Sequence, residues 1–168
     1  KLKDIEKVKS MGKVIDEYSF DPDRKTITTV LEENGKNHVF VRGAPEVILQ
    51  NSREDLKSKK HISSLIEEYA RKGLRVIGFG TKLEKHPNLE REHIEKDLDF
   101  LGFVGIYDPP RTEAKQAVEK ARLAGIRTIM VTGDNELTAL AIAKEVALID
   151  KDEDVVTGEE IEKLTDEE

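Results

Sequence analysis

KTITTVLEENGKNHVFVRGAPE, Lys25 to Glu46, is the stretch whose reading decides the fold class. Two runs rich in β-branched and aromatic residues, Lys25 to Glu33 and His38 to Val41, flank Asn34-Gly35. Asn-Gly is the dipeptide that most readily takes the positive φ angles of a two-residue hairpin turn. Lys13 to Phe20, just upstream, has the same β-rich composition, so the spacing predicts an antiparallel sheet. Gly43-Ala44-Pro45-Glu46 then breaks the last strand and opens a helix. Proline sits in its first turn, where the missing N–H costs nothing, and an acid lies near the positive end of the dipole.

Working outward, Ile62, Leu65, Ile66, Tyr69 and Ala70 trace one face of a helix that Gly73 ends in a left-handed stop, and Leu74 to Leu83 returns as a strand. On the other side, Leu2, Ile5 and Val8 recur at helical spacing before Gly12. Glu84 to Asp99 is polar and contains His86-Pro87-Asn88, with a domain boundary near 98. Beyond it the pattern changes to alternation. Phe100 to Tyr107 is an apolar run suited to a strand buried on both faces. Thr112 to Ala124 is a helix ended by Gly125, Ile126 to Val131 a second apolar strand, and about Asn135 to Ala147 a second helix. Strand, helix, strand, helix implies a parallel βαβ unit. The expected class is α/β: an antiparallel sheet with helices over 1–98, then part of a parallel domain over 99–168. Thr157 with Glu160 makes a capping-box pattern for a final helix.

Composition removes several classes of function. Val, Ile, Leu and Phe together make 47 of 168 residues, well above the ~20% below which a charged chain reads as disordered. The net charge of −7 is concentrated in Asp150 to Glu168, which holds ten acids against two lysines. The rest is nearly neutral, without the basic patch of a nucleic-acid binder. There is no cysteine, which removes disulfides and thiol chemistry, and the four histidines at 38, 61, 86 and 93 show no ligand spacing for a metal. Phe100 to Tyr107 is far shorter than the ~18 apolar residues of a membrane span. The chain starts on Lys1 without a signal-peptide pattern and reads as a piece of a longer protein.

In a parallel sheet, ligands gather outside the carboxyl ends of the strands, where loops lead into helix N-termini. Asp108-Pro109-Pro110-Arg111 and Thr132-Gly133-Asp134 both fall at that edge. Two carboxylates, a hydroxyl, a guanidinium and a glycine backbone would suit phosphate and magnesium. The alternative makes the aspartates helix caps and the prolines a stiff turn. A second cluster, Phe20, Arg24, Lys25, Arg42 and Arg75, could place cations beside an aromatic platform on one sheet face, so that a base stacks on Phe20 while phosphates meet the cations. Its alternative is a solvated sheet face with a core phenylalanine. No phosphate-loop motif is present, and Gly78-Phe79-Gly80 lacks the third glycine of a dinucleotide fingerprint, so it reads as strand interior.

The wording of these segments resembles the cytoplasmic part of P-type cation-transporting ATPases, most like the calcium-pump branch. The resemblance runs in order through Phe20-Asp21-Pro22-Asp23-Arg24-Lys25, Phe40-Val41-Arg42-Gly43-Ala44-Pro45-Glu46, Gly73-Leu74-Arg75-Val76, Asp108-Pro109-Pro110-Arg111 and Met130-Val131-Thr132-Gly133-Asp134-Asn135. It implies the later part of a nucleotide-binding domain running into a phosphorylation domain of the haloacid-dehalogenase type, on the cytoplasmic side of a membrane. The implied ligands are ATP and Mg2+, and the implied partners are the remaining domains of a pump. It gives Phe20 an adenine-stacking role and places Lys25, Arg42, Gly43 and Arg75 around the nucleotide, Arg75 on the phosphates or as a bridge to the phosphorylation domain. Asp108, Arg111, Thr132, Gly133 and Asp134 would support the phosphorylation site. Arg42 stands where the family usually has lysine, exchanging a compact ammonium for a planar fork. The Asp-Lys-Thr-Gly-Thr segment that carries the phosphorylated aspartate is absent from these 168 residues, so ATP binding without turnover is the expectation. His86-Pro87 is similar to a pair in heavy-metal pumps but follows Arg75, and reads as loop. Two other readings are a self-standing phosphatase using Asp108 or Asp134, neither of which has the expected Asp-x-Asp pattern, and a non-catalytic interaction module using the acidic tail.

Overall fold

The computed structural model describes residues 12–84, 89–150 and 155–165. The expected helix at Leu2 to Val8 and the His86-Pro87 pair lie outside them. Asn34 and Gly35 both take positive φ, 52° and 72°, and the hairpin they close joins β2 (Thr26–Glu33) to β3 (Lys36–Gly43) in an unbroken antiparallel register from Glu33↔Lys36 to Thr26↔Gly43. β1 (Lys13–Asp21) lies antiparallel on the far side of β2, and β4 (Arg75–Glu84) antiparallel on the far side of β3. β5 (Asp99–Ile106) completes one five-stranded sheet whose spatial order is the chain order.

The chain falls into two compact units, Lys1–Ile66 with Val76–Val104 and Glu67–Arg75 with Gly105–Glu168. In the first, alternation along the strands sends Thr26, Thr28, Val30, Val39 and Val41 to one buried face. α1 (Pro45–Gln50) and α3 (Arg91–Ile94) cover that face through Ile48 and Ile94, and Leu98 closes the cluster. Gly78 and Gly80 are strand interior, as expected. A Cβ at Gly78 would stand 2.7 Å from Pro45 Cα, and one at Gly80 2.8 Å from Ile48 Cγ2, so the two glycines let α1 lie directly on β4. Each fully buried aliphatic side chain here contributes about 1.5 to 3 kcal/mol. Lys82 and Glu84, pointing to the same face, pair with each other at 3.0 Å, and the Lys82 ammonium also donates to the carbonyls of His93 and Lys96.

α2 (Leu56–Arg71) ends at Gly73, whose φ of 77° is the left-handed stop the sequence predicts. In the second unit, α5 (Glu136–Glu145) buries Thr138, Ala139 and Ala143. Thr138 Oγ1 donates to the Leu74 carbonyl at 3.0 Å. α4 (Ala114–Leu123) ends before Gly125, also at positive φ, and Arg122 donates to the Ala147 carbonyl at 2.8 Å. α6 (Gly158–Ile161) starts on the capping box of Thr157 and Glu160, with both reciprocal hydrogen bonds present.

One part of the expected fold class is not shown. The parallel βαβ unit is not formed among the described residues. Ile126 to Val131 has no strand partner, and Val131 is 91% exposed. A parallel strand buried on both faces needs a neighbouring strand to pair with and helices over its two faces. Phe100 to Ile106 is instead taken into the hairpin sheet as β5, and no other described strand lies beside 126–131. The polar stretch before the boundary holds α3 and two core residues, Ile94 and Leu98.

Candidate functional site

The face of the sheet opposite the core is set by register. Ile27 pairs with Arg42, and Arg42 with Phe79, which forms one cross-strand row. On the other side of Ile27 the ladder is irregular: Tyr18 pairs with Thr28 and Asp21 with Thr26, so Ser19 and Phe20 together stand opposite Ile27. Such a bulge re-aims a side chain. Without it, strict alternation from Tyr18 would send Phe20 to the core face. With it, Phe20 joins the row Ile27, Arg42 and Phe79 and is 60% exposed. A large apolar ring this open at a strand end is a platform rather than core.

The turn after Phe20 is built on Asp21. Its carboxylate accepts from the backbone N–H of Asp23 at 2.9 Å and of Arg24 at 3.1 Å, while its carbonyl accepts from Lys25 N–H at 2.7 Å. The Arg24 N–H, then that of Asp23, then the guanidiniums of Arg91 and Arg24 hold the Asp21 carboxyl below the usual aspartate range. Lys25 leaves the turn with φ 56° and its ammonium exposed. Its carbonyl accepts from Ala44 N–H at 3.0 Å and packs against Gly43, where a Cβ would fall 2.2 Å from Lys25 O. Gly43 is therefore the contact that seats Lys25 beside the Arg42 end of β3. Arg42 is exposed and makes no ion pair or side-chain hydrogen bond among the described residues, with Glu46 or any other group. Arg24 differs: it pairs with Glu92 at 3.1 Å and lies 3.7 Å from Asp21 and 3.9 Å from Glu95. Phe20, Lys25, Arg42 and Gly43 are thus gathered at one end of the first unit, and Arg24 is drawn away to acids.

The remaining candidates lie in the second unit. Arg75 Nε donates to Asp134 Oδ1 at 2.8 Å. Thr132 Oγ1 accepts from Asp134 N–H at 3.1 Å and donates to its carboxylate at 3.2 Å, and Asn135 caps α5 by accepting from Leu137 N–H. So Arg75, Thr132, Gly133 and Asp134 form one constellation at the N-terminus of α5. Asp108 and Arg111 are exposed on the segment before α4, and no hydrogen bond or ion pair among the described residues joins their side chains to that constellation. No group of three or more acids and histidines among the described residues could hold a metal ion. With Asp134 engaged by Arg75 and no metal-holding group among the described residues, these residues alone do not make a magnesium cage.

One contributor escaped the sequence reading. Arg91, on α3 within the polar stretch, reaches under the Asp21 turn. Its spacing from Glu95, four residues on, was the available signal.

The chain matches the family model of the P-type ATPase cytoplasmic domain N over residues 1–113. It is 35% identical over 162 residues to calcium-transporting ATPase 1 of Bacillus cereus and 36% identical over 175 residues to the calcium-transporting ATPase of Bacillus subtilis. The matched region covers 90% of this chain and 18% of the first relative, and 96% and 19% for the second. It is 40% identical over 172 residues to a sodium/potassium exporting P-type ATPase of Schizosaccharomyces pombe, over 90% of the chain and 17% of that protein. The chain therefore spans less than a fifth of the length of these relatives. With the family model spanning two thirds of its residues and the motif-bearing turn, strand end and helix start in place, the chain belongs to the P-type cation-transporting ATPases, its residues 1–113 corresponding to their cytoplasmic domain N.

Proposed function

We propose that this chain binds ATP on the open face of its hairpin sheet. The adenine ring lies on Phe20, and the phosphates run toward Lys25 and Arg42 past the glycine backbone at Gly43. The observation that carries this reading is the bulge opposite Ile27, which turns an aromatic ring out of the core and into the row of Arg42, whose guanidinium makes no ion pair among the described residues. A nucleotide is a planar base joined to an anion, and that pair of features fits it.

Within this reading, 1–98 is the nucleotide-binding portion and 99–168 part of a phosphorylation domain of the haloacid-dehalogenase type. The longer protein transfers the γ-phosphoryl group of ATP to an aspartate outside this chain and couples that step to ion transport. Arg75 would leave Asp134 to meet the phosphates or keep it as a bridge. Asp108, Arg111, Thr132, Gly133 and Asp134 would support the transferred phosphate once the rest of that domain is present. Magnesium would arrive with the nucleotide and supply charge neutralisation there. Lacking the nucleophile segment, the chain binds ATP and does not turn it over.

Nuclear magnetic resonance titration tests the reading. ATP with a dissociation constant on the order of 1 mM should shift resonances of Phe20, Lys25, Arg42 and Gly43. No shift at tenfold that concentration would overturn it. Sustained release of phosphate from ATP or a phosphomonoester would overturn it in favour of a phosphatase.

A further inference from the structure

We infer that Arg91 is a positioning residue for the nucleotide turn, with Glu95 as its anchor. The inference rests on the ATP site proposed above and adds the group that holds the site in shape. Its basis is where the Arg91 hydrogen bonds fall. Nη1 donates to the Ser19 carbonyl at 3.2 Å, and Nη2 donates to the Thr26 carbonyl at 2.7 Å and to Thr26 Oγ1 at 3.1 Å. Ser19 is the residue before Phe20, and Thr26 the residue after Lys25. One rigid guanidinium therefore clasps both ends of the segment that carries the platform and the ammonium.

That segment needs a clasp for local reasons. The bulge interrupts the β1–β2 ladder between Tyr18 and Asp21, and a bulged residue is left out of the regular pairing. Lys25, at φ 56°, sits in a region that non-glycine residues adopt at a cost. Arg91 supplies a donor at the bulge and a second at the point where pairing resumes. Its own orientation is fixed from below: Nε donates to Glu95 Oε1 at 2.8 Å, and Glu95, 7% exposed, also accepts from Thr26 Oγ1 at 3.2 Å and from Thr28 Oγ1. The guanidinium lies over the Tyr18 ring at 5.6 Å and 3.8 Å from Asp21. Lysine would keep the charge but could not reach two carbonyls and a carboxylate in one plane.

The test compares the 168-residue chain with its Arg91→Lys and Glu95→Gln variants in ATP titrations that follow the Phe20 ring protons. Their shift extrapolated to saturation reports how the adenine lies on the ring, separately from affinity. Arg91→Lys should raise the ATP dissociation constant about three- to tenfold, the usual scale for losing a preorganised loop, and reduce the saturating Phe20 shift by at least about half. Glu95→Gln should move both readouts in the same direction by less. A purely structural role would lower the unfolding midpoint and leave the saturating shift of the folded protein unchanged, and that result overturns the inference. Should Arg91→Lys not fold, Glu95→Gln decides alone by the same criterion. If the unsubstituted chain shows no ATP-dependent Phe20 shift, the ATP reading itself fails. If it does and both variants match it, only the Arg91 inference falls.

Discussion

Phe20 and Lys25 divide the nucleotide contact in a way that can be measured. Phe20 offers a face on which a base loses water against an apolar ring, and removing such a platform costs roughly 1 to 3 kcal/mol per stacked base. Lys25 offers an exposed ammonium, and an exposed charge contact is worth about 1 kcal/mol or less and is screened by salt. Phe20→Ala should therefore weaken ATP binding about tenfold or more, with little change between low and moderate salt. Lys25→Ala should weaken it by about fivefold or less, with the loss shrinking as salt rises. Resonance titrations at two salt concentrations check this, and equal affinity of Phe20→Ala and the unsubstituted chain would make Phe20 an ordinary exposed ring. The exposure of Phe20 could not be read from composition, because alternation alone sends it to the core side. Only the extra residue between Tyr18 and Asp21 turns it out.

At the scale of elements, the Gly-Ala-Pro-Glu segment was legible as a strand stop and helix start, yet the reason for its glycine is a contact across the sheet. Gly43 has φ 156°, and a Cβ there would stand 2.2 Å from Lys25 O and 2.8 Å from Thr26 Cα. Both are backbone atoms of the neighbouring strand entry and cannot rotate aside. Gly43→Ala should destabilise the fold by at least about 2 kcal/mol, read as a lower urea midpoint with unchanged slope; an unchanged midpoint would show that this close approach is not required. The hairpin, α2 and α4 were legible because each declares itself within a dozen residues, by Asn34-Gly35, by helical spacing or by a terminal glycine. α3 was not. It is four residues long, and the core residues Ile94 and Leu98 stand isolated in a charged stretch whose buried Glu95 is satisfied by Arg91 and by the threonines of β2. The 126–131 segment failed in the opposite sense. An apolar run records a demand for burial but not whether a neighbouring strand is there to meet it.

Across the whole molecule, the two units differ in how much apolar surface holds them. The first encloses Val30, Val39, Val41, Ile48, Ile94 and Leu98 behind a continuous hairpin ladder. The second buries mainly small side chains, Ala70, Ala139, Ala143 and Val146, while Leu123, Ile129 and Val131 stand open to solvent. α4 has no buried residue, and an isolated helix of its length is marginal in water because nucleation is costly. Opening free energy follows buried contact, so regions poor in it open locally before the global transition. Native-state hydrogen exchange should accordingly find the amides of Val30, Val39 and Val41 exchanging only through global unfolding. Those of 114–123 should exchange at least about a hundredfold faster, since each 1.4 kcal/mol of local opening is a factor of ten. ATP should protect the turn at 21–26 further, because ligand binding stabilises the state that binds it, and leave 114–123 unchanged. Equal protection in α4 and the hairpin would mean that the second unit is held by something other than its buried side chains.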